Sequence, residues 1–445
     1  MIRSLFFGLA FVAAAAFSGM MVNRFQPFMV MAAFGAVVIF AVAFVNTEWG
    51  LYILIFSMLL SPEINVGGTG GASLGRGVTL RVDDFLLAVI GLSWFAKGAY
   101  FKELGLFRKT PLNRPIFLYL AVCLVATGAG VLAGRVGAKT GYLFVIKYFE
   151  YFIVYFMVVN HVEDEEQIRR FLLFLFLTCA VTAVIGLTQI PGGGRVSAPF
   201  EGPEGEPNTY GGYLVFVGMV AAGLFTTARS MKTRVWIGLL LILITPPFLY
   251  TQSRSSYLAL VPAVLTLGFL TERRALVVSG IVMTLVVSPL FLPSAVKDRI
   301  FYTFNQPKEM GQLRIGDLRV DTSTSARLMS WAHALKDWTR HPLLGYGVTG
   351  YRFLDAQFPR VLTETGLLGL VAFFYLIYAL FRLAFQRLRA VRSPLHAGLI
   401  RGFIAGSVGL LFHAIGANTF IIVRIMEPFW LVAGMVAVLP GAESS

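Results

Sequence analysis

Arginine and carboxylate residues recur at wide intervals through the second half of the chain, at Arg254, Arg327, Asp355 and Glu364, with Arg195 before them and Arg424 after. Arginine keeps its charge at any working pH, and its planar fork matches phosphate oxygens in pairs. A carboxylate or histidine beside such cations can act as general base on a hydroxyl. The combination suits displacement of a diphosphate, with fixed cations stabilising the charge that develops on the leaving group. Arginines that neutralise a diphosphate make a metal unnecessary. The polar connections contain no Asp-x-Asp pair, and Asp317 with Asp321 is the nearest approach to one.

Several of these residues fall in one long polar interruption of an otherwise apolar chain, residues 293–366. Within it, Leu328, Trp331, Leu335 and Trp338 recur at helical spacing and predict an amphipathic helix that ends before His341-Pro342. Such a helix can lie on a bilayer surface with Arg327 and Lys336 turned from the lipid. His333 reads as a surface or packing residue and His341 as a helix-ending one. Glu364 has two readings, a catalytic carboxylate or an N-terminal charge on the helix that follows.

The rest of the chain is membrane. Of 445 residues, 57% are hydrophobic and 13% charged, and the mean hydropathy is +0.75, values foreign to soluble domains. The net charge of +14 comes from Lys and Arg that punctuate apolar runs, which excludes a nucleic-acid-binding face and points to topology and anionic lipid. Cys123 and Cys179 sit in apolar runs and read as buried thiols. The N-terminal apolar run resembles a cleavable signal but continues to Val22, long enough for a retained first span.

Apolar runs near 4–22, 28–45, 51–60, 85–99, 116–133, 143–159, 171–190, 210–226, 236–250, 257–270, 275–292, 367–385, 398–417 and 428–439 predict 13 or 14 spans. Basic residues crowd alternate connections: Lys102 to Arg114, Arg169-Arg170, Arg229 to Arg234, Arg273-Arg274 and Arg382 to Arg392. That side is then cytoplasmic, as are both termini. The expected fold is an all-α integral membrane protein. It divides into an N-terminal bundle of about 11 helices (1–292), an extracytoplasmic loop domain with amphipathic helices (293–366) and C-terminal spans (367–445). The Gly-rich stretch 62–82 (with Arg76 and Arg81), the turn-rich 191–209 and the short 251–257 are the other outward connections. Inside the spans, Lys147 and Glu150 are one turn apart and predict a pair, Asp83-Asp84 begin a helix, Arg424 can pair with Glu427 or reach an anion, and Asn208 can cap its helix.

Ser253-Arg254-Ser255, Arg327-x-x-x-Trp331 leading to His341-Pro342-Leu-Leu-Gly345-x-Gly347, and Glu364-x-Gly366-Leu-Leu-Gly369 follow one another in an order that resembles the O-antigen ligase and polymerase superfamily. Arg195-Val-Ser197 with Pro207-Asn208, and Arg424-Ile-Met-Glu427-Pro-Phe-Trp430, resemble its outward turns. The resemblance implies transfer of an undecaprenyl-diphosphate-linked glycan to an acceptor sugar at the outer face of the bacterial inner membrane. It implies no cofactor, and as partners membrane lipids, a flippase and a chain-length regulator of the same pathway. By position, Arg254 and Arg327 would hold the diphosphate, with Arg195, Arg424, His341 and Asn208 as further substrate contacts. Ligases place a His followed by Asn, Ser or Gln eleven residues before the first Gly of the terminal Gly-x-x-Gly; here Asp355-Ala356 stands there, which is more like the polymerase-type members. Asp355 is thus expected to orient or deprotonate the acceptor, with Glu364 as second choice. The alternatives are a ligase and, from another class, a flippase, which should carry internal repeats and broken helices near the midplane.

Overall fold

A computed structural model describes residues 27–64, 80–100, 108–201, 205–271 and 321–440, with scattered positions between 274 and 319. The predicted spans near 4–22 and 275–292, with Arg76, Lys102 and Asp317, lie outside the described residues. The structure is all-α, as expected: thirteen α-helices are described, and strands are confined to two antiparallel pairs of two residues each.

In chain order the helices are α1 (Pro27–Val45), α2 (Thr47–Leu60), α3 (Val82–Tyr100), α4 (Asn113–Leu132), α5 (Ala138–His161), α6 (Glu165–Gln189), α7 (Pro207–Thr227), α8 (Met231–Tyr250), α9 (Arg254–Leu270), α10 (Thr322–Trp338), α11 (Gln357–Ala390), α12 (Pro394–His413) and α13 (Val423–Val438). Among the described residues seven helices are long and apolar enough to cross a membrane, and α1, α2 and α9 include shorter apolar stretches. Large apolar side chains such as Leu132, Trp236, Ile242 and Phe269 are exposed on these helices, as a hydrocarbon surround requires.

The centre is made by α7, α12, α13 and α5. Almost every residue of α7 from Thr209 to Leu224 is buried. It meets α12 through small residues: a β-carbon on Gly223 would lie 2.4 Å from the Gly398 carbonyl, and one on Gly402 would lie 2.6 Å from that of Met219. Helices associate in lipid by such close approach, since apolar surface alone gives no net drive there.

The connections sort to two ends. At one, Arg170 bonds Glu48 at 2.9 Å, His396 meets Glu165 at 3.1 Å, and the Arg108 amide donates to Asn160. At the other, residues 61, 81, 130–136, 193–201, 205–206, 251–254, 341–357 and 414–422 come together, and the candidate residues are there. Lys147, expected to pair with Glu150, does so at 3.6 Å, but its tight partner is Asp84 at the start of α3. That contact lies 63 residues away in sequence, out of reach of helical spacing.

The amphipathic helix forms as α10. It packs through Ser325 and Ala334, with Ala334 against Tyr351 and Leu354, and leaves the predicted Leu328, Trp331, Leu335, Trp338 stripe partly exposed. The helix following the loop begins earlier than expected, at Gln357, and is interrupted at Gly366 (φ 67°, ψ −166°). The turn 342–347 fills the interruption. Leu367 and Leu368 amides donate to Pro342 and Leu343 carbonyls (2.8 and 3.2 Å), while Tyr346 and Gly347 amides donate to Thr363 and Glu364 carbonyls (both 2.8 Å). The two motifs that carry the resemblance therefore clasp each other. A β-carbon on Gly366 would sit 2.2 Å from the Leu343 carbonyl oxygen, in a backbone region open mainly to glycine. Gly366→Ala is expected to destabilise the protein by at least about 1–3 kcal/mol, read as a lower melting temperature in detergent.

Candidate functional site

The site is built from the start of α9. Ser253 caps the helix: its hydroxyl accepts the Ser256 amide at 3.3 Å and donates to the Asn208 side-chain oxygen at 2.7 Å. Gln252, just before it, is held at a φ of 49°, a strained setting for a residue with a β-carbon. This fixes Arg254 as the first residue of α9. Its guanidinium donates Nη1 to Asp321 at 2.7 Å, while its Nε is buried with no hydrogen-bond partner among the described residues.

Asp321 starts α10, and Arg327 follows on the same helix. Arg327 donates Nη2 to Asp355 at 2.9 Å, with both side chains about one-third exposed (28% and 37%). A β-carbon on Gly416 would lie 2.5 Å from Ser255 Oγ and 3.8 Å from Arg327 Nη1. Ser255, next to Arg254, and the Arg327 head thus meet over one glycine. The segment carrying Asp355 is fixed to the same turn: Gln357 N–H donates to the Ala414 carbonyl (3.0 Å), and Asn418 Nδ2 donates to that of Leu354 (2.7 Å).

The remaining predicted residues divide into two groups. Arg195 and Asn208 support the arginine turn; Arg195 donates to the carbonyls of Thr251 (2.9 Å) and Gln252 (3.4 Å). Asn208 lies inside α7 and spends its side chain on Ser253, whereas Glu206 occupies the cap position. The others are engaged elsewhere. Glu364 is buried, bonded by Arg360 at 3.1 Å and by the Thr349 amide at 3.2 Å. Arg424 is buried and donates to the Pro199 and Ser61 carbonyls (3.0 and 3.1 Å), with Glu201 at 3.3 Å as ion partner where the sequence offered Glu427. His341 stands edge-on to the Tyr346 ring, and partial burial with nearby Arg135 holds its pKa below the usual value. Asp321, read at first only as half of a cation pair, and Arg360 had no functional expectation attached. The Arg360–Glu364 spacing of four was a legible signal; the 67-residue separation of Arg254 and Asp321 was not.

Two carboxyls outside the spans are shifted in opposite directions. Burial would raise that of Asp321, but hydrogen bonds from Arg254 and Thr324 outweigh it and hold it below its ordinary 3.8. Burial pushes Glu201 up to about 7 against the pull of Arg424.

Fold and site together define a polytopic membrane protein with a cation-rich, carboxylate-flanked site at one end of its bundle. Residues 247–374 match the family model described as O-antigen ligase, a match that supports the O-antigen ligase and polymerase superfamily and a function of that type. No curated protein matches the chain.

The Asp321 shift stabilises the fold above pH 3.8 and is lost as pH falls through the lower folded value. Wild-type melting temperature should therefore drop below pH 3.8, and Asp321→Asn should start lower and respond less to acid. Glu364→Gln leaves Arg360 buried beside a neutral partner and should cost about 3–5 kcal/mol. Asp355→Asn breaks a half-open pair and should cost about 0–1 kcal/mol in the same melting assay.

Proposed function

We propose that the protein is an inverting glycosyltransferase that joins undecaprenyl-diphosphate-linked oligosaccharide units into a cell-surface polysaccharide. The observation that carries this reading is that α10 brings two arginines to one end of the bundle, Arg254 through its bond to Asp321 and Arg327 beside Ser255 over Gly416, with a buried Arg254 Nε free of hydrogen bonds among the described residues and Asp355 on the open side. In the reaction, Asp355 accepts the proton of the acceptor hydroxyl, and that oxygen attacks the anomeric carbon of the donor sugar. The bond from that carbon to the diphosphate breaks with inversion, and the electron pair leaves on undecaprenyl diphosphate. Arg254 and Arg327 hold the diphosphate and offset the charge gained there. Glu364 is a structural carboxylate on this reading, because Arg360 and the clasp occupy it.

The site end faces outward, since the opposite end carries the basic connections that include Arg108, Arg170 and Arg387. The acceptor is another repeat unit, by the Asp355 that stands where ligases carry histidine. A ligase acting on lipid A core is the second reading, favoured by the description of the matching family. Arg254→Ala and Arg327→Ala should each lower transfer by about 10²–10³-fold with normal insertion and expression, by the usual cost of deleting one oxyanion-stabilising donor. The assay is extension of a purified lipid-linked oligosaccharide in detergent. Wild-type product lengths from both variants would refute the reading. Product on lipid A core alone would move it to the ligase.

A further inference from the structure

Beside the arginine turn lies a cleft that the proposed chemistry leaves unused. It is an open cleft bounded by the end of α6, residues 192–201 and Gly205, has a volume of about 710 Å³, and includes Thr188, Gln189, Arg195, Ser197, Phe200 and Glu201 in its lining.

Phe200 is its most telling wall. The ring is 56% exposed, and its backbone is held at a φ of 60°, the left-handed region that favours glycine. Its neighbours enforce this. Val196 donates its amide to the Tyr250 carbonyl at 2.9 Å, and Gln189 grips Ser197 by two bonds of 3.0 and 3.1 Å. Arg424 holds the Pro199 carbonyl at 3.0 Å. Val196 and Ala198 fill the core, while the strained turn lifts the largest apolar side chain of the stretch out to the cleft. Strain of this kind persists where surrounding structure over-determines it, and it clusters at ligand sites.

An open aromatic face beside a guanidinium and a hydroxyl is the surface complement of a pyranose. The axial C–H groups of such a sugar form an apolar face, and its hydroxyls form a polar rim. Glu201 completes the wall; its carboxylate accepts the Glu206 amide at 2.8 Å and faces Arg424. Arg195 joins the cleft to the transfer site, because it lines the cleft and also donates to the carbonyls of Thr251 and Gln252, just before Arg254. We infer that this cleft is a saccharide subsite in which Phe200 stacks on one sugar of the glycan undergoing transfer. The assignment of that glycan rests on the glycosyltransferase reading above.

The test uses full-length protein in detergent and, as probe, oligosaccharide released by mild acid from the polysaccharide of the producing cells. Saturation-transfer NMR should detect binding to wild type. Phe200→Ala should weaken it about tenfold, with a similar rise in the KM of the lipid-linked donor and little change in kcat, and Phe200→Trp should retain both. Because Phe200 is exposed, the alanine variant should melt as wild type does. Equal binding by Phe200→Ala, or no binding by wild type, overturns the inference; equal binding with a changed response of melting to added lipid marks Phe200 as a bilayer anchor. Arg254→Ala should bind the probe normally while losing transfer. Probe binding that depends on Phe200 in a protein without transfer activity would sink the transferase reading and leave the subsite standing.

Discussion

A helix that is interrupted within a packed bundle must find partners for the peptide groups it frees, because no water is at hand to take them. At Gly366 the protein meets this demand with a turn from outside the helix. The amides of 346–347 and 367–368 and the carbonyls of 342–343 and 363–364 exchange four bonds. Gly345 and Gly347, both with positive φ, let the turn come this close, and Gly130 of α4 receives it from the other side. The Tyr346 and Tyr351 hydroxyls then reach Asp337 and tie the end of α10 to the same unit. The end of α10 is held by this clasp, while the segment around Asp355 is also tied to the 414–418 turn through Gln357 and Asn418.

The charges near that end fall into two kinds, separated by exposure. Arg360 with Glu364 and Arg424 with Glu201 have side chains less than a tenth exposed, and each also holds backbone groups. Taking such ions from water costs several kcal/mol apiece, and close pairing offsets it. These pairs stay closed and set the geometry of the loops. Arg327–Asp355 is open on both sides, with Arg327 beside Ser255 over Gly416, whereas Arg254–Asp321 sets a partly exposed arginine on a buried carboxylate. A pair as open as Arg327–Asp355 can exchange a carboxylate for a phosphate at small cost, while Arg254 can offer a phosphate its Nε, unpaired among the described residues, and keep Asp321. The physical difference between a structural ion pair and a site is therefore visible in how much water each still meets.

Much of this was legible along the chain. Apolar run lengths gave the helical membrane class, and alternation of basic connections agreed with the two ends that the structure brings together. The order of the Arg254, Arg327 and Gly-x-x-Gly motifs was enough to indicate the superfamily that the match over 247–374 supports. Period 3.6 gave the existence of α10 but not its buried face. The apolar stripe remains partly exposed while Ala334 and Ser325 make the contact, because close packing against a neighbouring element selects small residues and periodicity cannot see the neighbour.

The sequence alone carried the class of fold, the kinds of side chain available for chemistry and their order, since these depend on local composition and on spacing within a helix. Tertiary structure decided the partners. Lys147 belongs chiefly to Asp84, Arg254 to Asp321 and Arg424 to Glu201, contacts that span 63, 67 and 223 residues. In a medium of low polarity a charge is committed to whichever opposite charge the packing brings within about 3–4 Å, with an interaction that falls with distance in space. Separation along the chain does not enter that law, so only the folded arrangement could tell which arginines are spent on the scaffold and which remain for a ligand.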